Sequence, residues 1–167
     1  HDIAIYSAHT SLDVAADGIN TRLAKKIGLK NSRPLIENGL GAIGELEEEM
    51  NYTDFIGKIR ALLDCTYVRY TRPKKEQVKT IALCGGSGAE FIGEAIAQGA
   101  DVYITADCKY HEFQDAEGRI GLMDIDHWIS ERHAREIFLD FIGNLGLDCR
   151  ISKTDKTPIL LWQEQKN

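Results

Sequence analysis

Between residues 18 and 27 the apolar positions Ile19, Leu23, Ala24 and Ile27 recur at three-to-four spacing, which predicts an amphipathic helix stopped by Gly28. A second stripe, Phe55, Ile56, Ile59, Leu62 and Leu63, predicts a helix that Thr53 caps. Short apolar runs bounded by turn residues predict strands at 3–7, 66–71, 78–84, 101–105 and 120–125, with two more near 149–151 and 158–162. Further helices are predicted at 89–98, as a short turn near 109–116, and as a long element at 129–145. That last helix should turn Ile137, Phe138, Phe141, Ile142 and Leu145 inward. Residues 30–50, with Pro34, Gly39, Gly41 and Gly44, read as irregular, and the acidic run 45–49 reads as a solvated face. Helices interleaved with strands imply an α/β fold, a mixed sheet flanked by helices. We expect one domain over 1–167, with a first element at 1–40 and a second lobe from about residue 50.

Composition narrows the function. The net charge of −6 argues against a basic nucleic-acid-binding face. No apolar run approaches a membrane span. Cys65, Cys84, Cys108 and Cys149 form no C-x-x-C pair and sit in or beside apolar stretches, as reduced thiols do. With no targeting pattern visible, a cytoplasmic location is expected. The chain starts with His1 rather than Met, directly before a run that reads as a core strand, so an upstream segment is expected as well.

Histidine chemistry changes the picture more. With 26 Asp and Glu among 167 residues, five histidines would meet a carboxylate at +4 about once by chance; His9/Asp13, His111/Asp115 and His127/Glu131 all do. On a helical turn that spacing puts imidazole and carboxylate on one side, where a divalent metal can bridge them. For any single pair a surface or capping role is the more ordinary reading. Two of the pairs share a longer pattern, a strand followed by His-x-x-x-carboxylate and then a helix, at residues 2–13 and 121–131. That hints at a duplicated α/β unit.

Gly85-Gly86-Ser87-Gly88, between a predicted strand and helix, offers backbone N–H groups to an anion or simply makes a tight connection. It matches neither G-x-G-x-x-G, since Phe91 holds the last glycine position, nor the phosphate loop, which needs a lysine. Lys109, Tyr110 and His111 follow a strand end and are candidate pocket residues.

Four segments together, 7–13 (SAHTSLD), 84–88 (CGGSG), 104–111 (ITADCKYH) and 124–131 (DIDHWISE), resemble the Nif-three-like family in order and spacing over nearly the whole chain. Its members carry the name GTP cyclohydrolase 1 type 2 homologue. The resemblance implies a duplicated α/β fold, a centre of two divalent metal ions (Zn, Fe or Mn) and hexameric rings. By position, Asp13, His127 and Glu131 would be metal ligands, and His9 and His111 would line the same cleft as candidate proton shuttles. The family's other ligands, a His-His pair, lie upstream of the segment given by residues 3–7. Asp126 stands where the family usually has Gly, Ser11 where it has Asn, and Ala106 where it has Gly. The family's inserted domain near residues 33–41 is replaced by a short connection.

Two functions follow. One is a metal-dependent hydrolase acting on a small, nucleotide-like substrate. The other is a non-catalytic, metal-binding, ring-forming scaffold or adaptor.

Overall fold

The computed structural model describes residues 2–154 and 156–162. One six-stranded mixed sheet, in the order β1-β2-β4-β5-β6-β3, organises the molecule. Its strands are β1 (Lys30–Arg33), β2 (Ala42–Asn51), β3 (Val68–Tyr70), β4 (Gln77–Ser87), β5 (Val102–Ala106) and β6 (Gly121–Ile125). The central strands β4, β5 and β6 run parallel, with Ile81 opposite Val102 and Val102 opposite Gly121; the flanking pairs are antiparallel.

Side chains alternate across the pleat and so feed two cores. On one face Ile81, Leu83, Ile104 and Met123 pack with Leu23 of α2 (Ile19–Ile27), Phe55 and Ile59 of α3 (Tyr52–Leu62) and Ile129 of α6 (His127–Glu131). On the other, Ala82, Cys84, Tyr103 and Leu122 meet Ile92 and Ala95 of α4 (Ile92–Ala97) and Ala116 of α5 (Tyr110–Ala116). Both faces of β5 and β6 are buried throughout, as parallel strands between helical layers require. Cys65, Cys84 and Cys108 are buried, and burial raises their thiols, Cys65 to about 11 and Cys84 to about 12. No helix among the described residues is long and apolar enough to cross a membrane.

The predicted α2 forms as read, and Gly28 ends it in the left-handed conformation, φ +89°. Elsewhere the structure corrects the reading. Residues 3–7 form no strand and lie exposed, Ile5 at 93%; an apolar run becomes a strand only where a partner takes its backbone groups. The first half of the suspected repeat therefore lacks its strand. Residues 30–50, read as irregular, supply β1 and nearly all of β2, in which Ala42, Ile43 and Leu46 are buried while Glu45 and Glu47 face solvent. The cap of α3 is Asn51, which accepts from the Thr53 N–H at 2.9 Å, not Thr53 itself. The long helix splits into α6 and α7 (Ala134–Gly143). The break turns the apolar stripe, so Ile137 stays buried while Phe141 and Leu145 are more than 60% exposed. Residues 149–151 and 158–162 form no strands.

Candidate metal centre

Because β4, β5 and β6 are parallel, their carboxyl ends open on one edge of the sheet, where open α/β sheets bind ligands. Gly85–Gly86–Ser87 closes β4, Asp107 follows β5, and Asp126 and His127 follow β6. The fourth contribution comes from α1 (His9–Asp13), a single turn held against this edge by Asn20. Asn20 is buried; its amide donates to the Asp13 carbonyl at 3.2 Å and accepts from the Gly85 N–H at 2.9 Å.

The His-x-x-x-carboxylate motifs at His9 and His127 are thus single helical turns, α1 and α6, which is why the fifth residue returns to the side of the first. His127 Nε2 lies 3.2 Å from Glu131 Oε2, and its Nδ1 lies 2.6 Å from Asp107 Oδ2. Burial opposes charge on the His127 imidazole, but the Asp107 and Glu131 carboxylates outweigh it and raise its pKa above the ordinary value. The Asp13 carboxyl is raised by burial first and then by the negative charge of Glu131; His9 and His127 pull the other way. Asp13, His9, His127 and Glu131 therefore share one electrostatic neighbourhood. No group of three or more His, Cys, Asp or Glu among the described residues is already gathered at metal-holding distance.

In the glycine segment the N–H groups of Gly85, Gly86 and Gly88 are taken internally rather than offered to an anion. Gly85 donates to Asn20, Gly86 to Ser130 Oγ at 2.8 Å, and Gly88 to Thr105 Oγ1 at 3.0 Å. Its role is space: Gly86 has φ +68°, and a Cβ there would lie 2.3 Å from Glu131 Oε1 and 3.4 Å from His127 Nε2. Ser130 completes this packing by donating to the His127 carbonyl at 2.7 Å.

His9 is exposed, with Nδ1 2.9 Å from Thr10 Oγ1. His111 is exposed on α5, its described partners being Gln114 at 3.4 Å and the Tyr110 ring; no described hydrogen bond or ion pair joins it to Asp13, His127 or Glu131. Asp126, the departure beside His127, is buried and caps α6. It accepts from the Ile129 N–H at 3.3 Å and from Thr157 Oγ1 at 3.2 Å. Asp107 and Asn20 were not singled out in the sequence. Asp107 falls inside the 104–111 motif, whereas an asparagine on the apolar side of a predicted helix was the available signal for Asn20.

The sequence profile of Duf34/NIF3 (NGG1p interacting factor 3) matches residues 1–158. The chain belongs to this family. Among curated members of the Duf34/NIF3 family, GTP cyclohydrolase 1 type 2 homologues of a Nostoc species and of Clostridium perfringens are 33% and 36% identical, over 87% and 78% of this chain. The chain spans 58% and 53% of their lengths, about half. Among solved structures, a hypothetical protein of Staphylococcus aureus matches with a TM-score of 0.83 at 26% identity, covering 97% of this chain and 70% of that one. Reduced HcgD from Methanocaldococcus jannaschii matches with a TM-score of 0.70 at 27% identity, covering 83% and 56%. The mixed α/β sheet is thus the fold of the Duf34/NIF3 family.

Proposed function

We propose that the edge formed by α1, the end of β4 and α6 binds divalent metal, two ions as the family resemblance implies, and that the protein is a metal-dependent hydrolase of a small, nucleotide-like substrate. The observation that carries this reading is the cleft itself: His127 Nε2 lies 3.2 Å from Glu131 Oε2, and the neighbouring Asp13 carboxyl is raised by burial first and then by the negative charge of Glu131. Two carboxylates held against each other are relieved by a cation, and carboxylate with imidazole suits Zn, Fe or Mn.

Asp13, His127 and Glu131 would hold the ions. Bound metal lowers the pKa of a coordinated water and polarises the bond under attack. The chain's own contribution is to fix those donors on two helical turns and to leave room for the Glu131 carboxylate at Gly86. His9, on the same helical turn as Asp13, would be the first candidate for proton transfer and His111 on α5 the second.

A specific observation favours the alternative of a ring-forming, metal-binding scaffold: Ile3, Ile5 and Tyr6 in one segment, and Leu160 and Trp162 in another, are each at least 77% exposed, and assembly would cover such side chains. The deciding experiment is metal content by mass spectrometry on the whole protein, alongside D13A and E131A. About two transition-metal ions per chain, lost in both variants, supports the metal centre and justifies a hydrolase screen. Metal near zero and unchanged by either substitution sinks it. Metal bound with no turnover on nucleotides, together with variants that lose a hexamer, selects the scaffold.

A further inference from the structure

Asp107 carries a left-handed backbone, φ +57°, in the position directly after β5. Few non-glycine residues adopt this conformation, aspartate more readily than most, and in this chain the neighbouring residues fix it. Here the next residue is clamped on both sides of its backbone. The Cys108 N–H donates to Asp124 Oδ2 at 2.7 Å, and Arg69 Nη2 donates to the Cys108 carbonyl at 2.9 Å and to Asp124 Oδ2 at 2.6 Å. Asp124 is 2% exposed, and the Arg69 guanidinium lies 5.0 Å over the Phe113 ring. The chain is thus turned and fixed just where its side chain meets His127.

The meeting has a chemical consequence. An ionised carboxylate can only accept, so Asp107 Oδ2, 2.6 Å from His127 Nδ1, requires the proton to sit on Nδ1. In the neutral ring Nε2 is then a bare lone pair, facing Glu131 Oε2 at 3.2 Å. Two acceptors across that distance are satisfied only by a proton or a cation between them.

We propose that Asp107 is a positioning residue: held by the Arg69–Asp124 clamp, it fixes His127 in the Nδ1–H tautomer and so presents Nε2 to a divalent cation in the cleft. This rests on the metal-centre reading for its second half. Carboxylates that orient ligand imidazoles in this way change metal affinity by about 10–100-fold.

The test uses nitrogen NMR of the His127 ring in metal-free whole protein above neutral pH, and zinc affinity by chelator competition, for wild type, D107G and D107N. D107G is the decisive variant because glycine accepts the left-handed backbone without strain, which offsets the lost contact with His127. The expected result for D107G is an unchanged or higher Tm, a ring that loses its Nδ1–H preference, and zinc bound about 10–100-fold more weakly. D107N keeps a side-chain oxygen and should hold the tautomer while losing the charge, falling between the two. A wild-type ring protonated on Nε2, or a D107G protein with wild-type tautomer and zinc affinity, overturns the proposal. If wild type takes up no zinc, the metal-centre reading fails by itself, and the tautomer result alone upholds or overturns the role of Asp107.

Discussion

The Glu131 carboxylate occupies the space that a side chain at Gly86 would need, its Oε1 only 2.3 Å from where that Cβ would stand. The strand end and the helical turn are therefore fitted to each other around an acidic group. G86A should cost about 2 kcal/mol or more, since alanine must take a left-handed backbone and also push the carboxylate aside. Removing the obstacle should restore part of this: in G86A/E131A the loss in chemical denaturation should be smaller than the sum of the single losses.

Asn20 ties α1 to the sheet with one buried amide. N20A leaves the Gly85 N–H without its described partner, at a cost of about 1–3 kcal/mol. N20D keeps an acceptor for Gly85 but sets a carboxylate against the Asp13 carbonyl, and should be as destabilised at neutral pH. Denaturation midpoints measure both; a stability loss within experimental scatter for N20A would show that the bridge contributes nothing.

Asp126 acts as a cap and a tether. D126A should lose about 1 kcal/mol from the cap of α6, and D126G only a few tenths from that source. Neither should change zinc affinity by as much as E131A does. A D126A protein that binds zinc as poorly as E131A would place this carboxylate among the ligands.

Asp17 pairs with Arg22 at 2.8 Å and with Lys25 at 3.0 Å. Hydrogen bonds from Lys25 and then Arg22 hold its carboxyl below the ordinary range. A depressed carboxyl stabilises the fold above its unfolded pKa, and that contribution disappears as pH falls through the folded value. D17N should therefore melt slightly below wild type between pH 5 and 7, by a few tenths of a kcal/mol because the pair is exposed, and match it in strong acid. A gap that persists in strong acid would need another cause.

How much of this was legible in the sequence varied by residue. The His-x-x-x-carboxylate spacings at His9–Asp13 and His127–Glu131 were, because four-residue spacing has a geometric meaning wherever the chain is helical; that residues 9–13 would themselves be a helical turn was not. The strands of the central sheet were, because apolar β-branched runs bounded by turns have few other uses. Leu46 among glutamates did not read as a strand, since β2 owes its formation to pairing with β1 and β4. Asp107 was hidden for a similar reason: its importance comes from a backbone conformation and from His127, twenty residues on. Phe141 and Leu145 misled in the opposite sense, as a stripe predicts burial only if the helix runs unbroken.

The burial of Cys65, Cys84 and Cys108 has a practical consequence. Thiolate is the reactive form, and three of the four thiols are sealed in the interior with raised pKa values, leaving partly exposed Cys149 as the accessible one. The native protein is then a substrate for single-site labelling: a maleimide dye should couple at Cys149 alone, and the other three should couple only as the sheet opens. The count of dyes per chain becomes a direct readout of unfolding, obtained without altering a single residue.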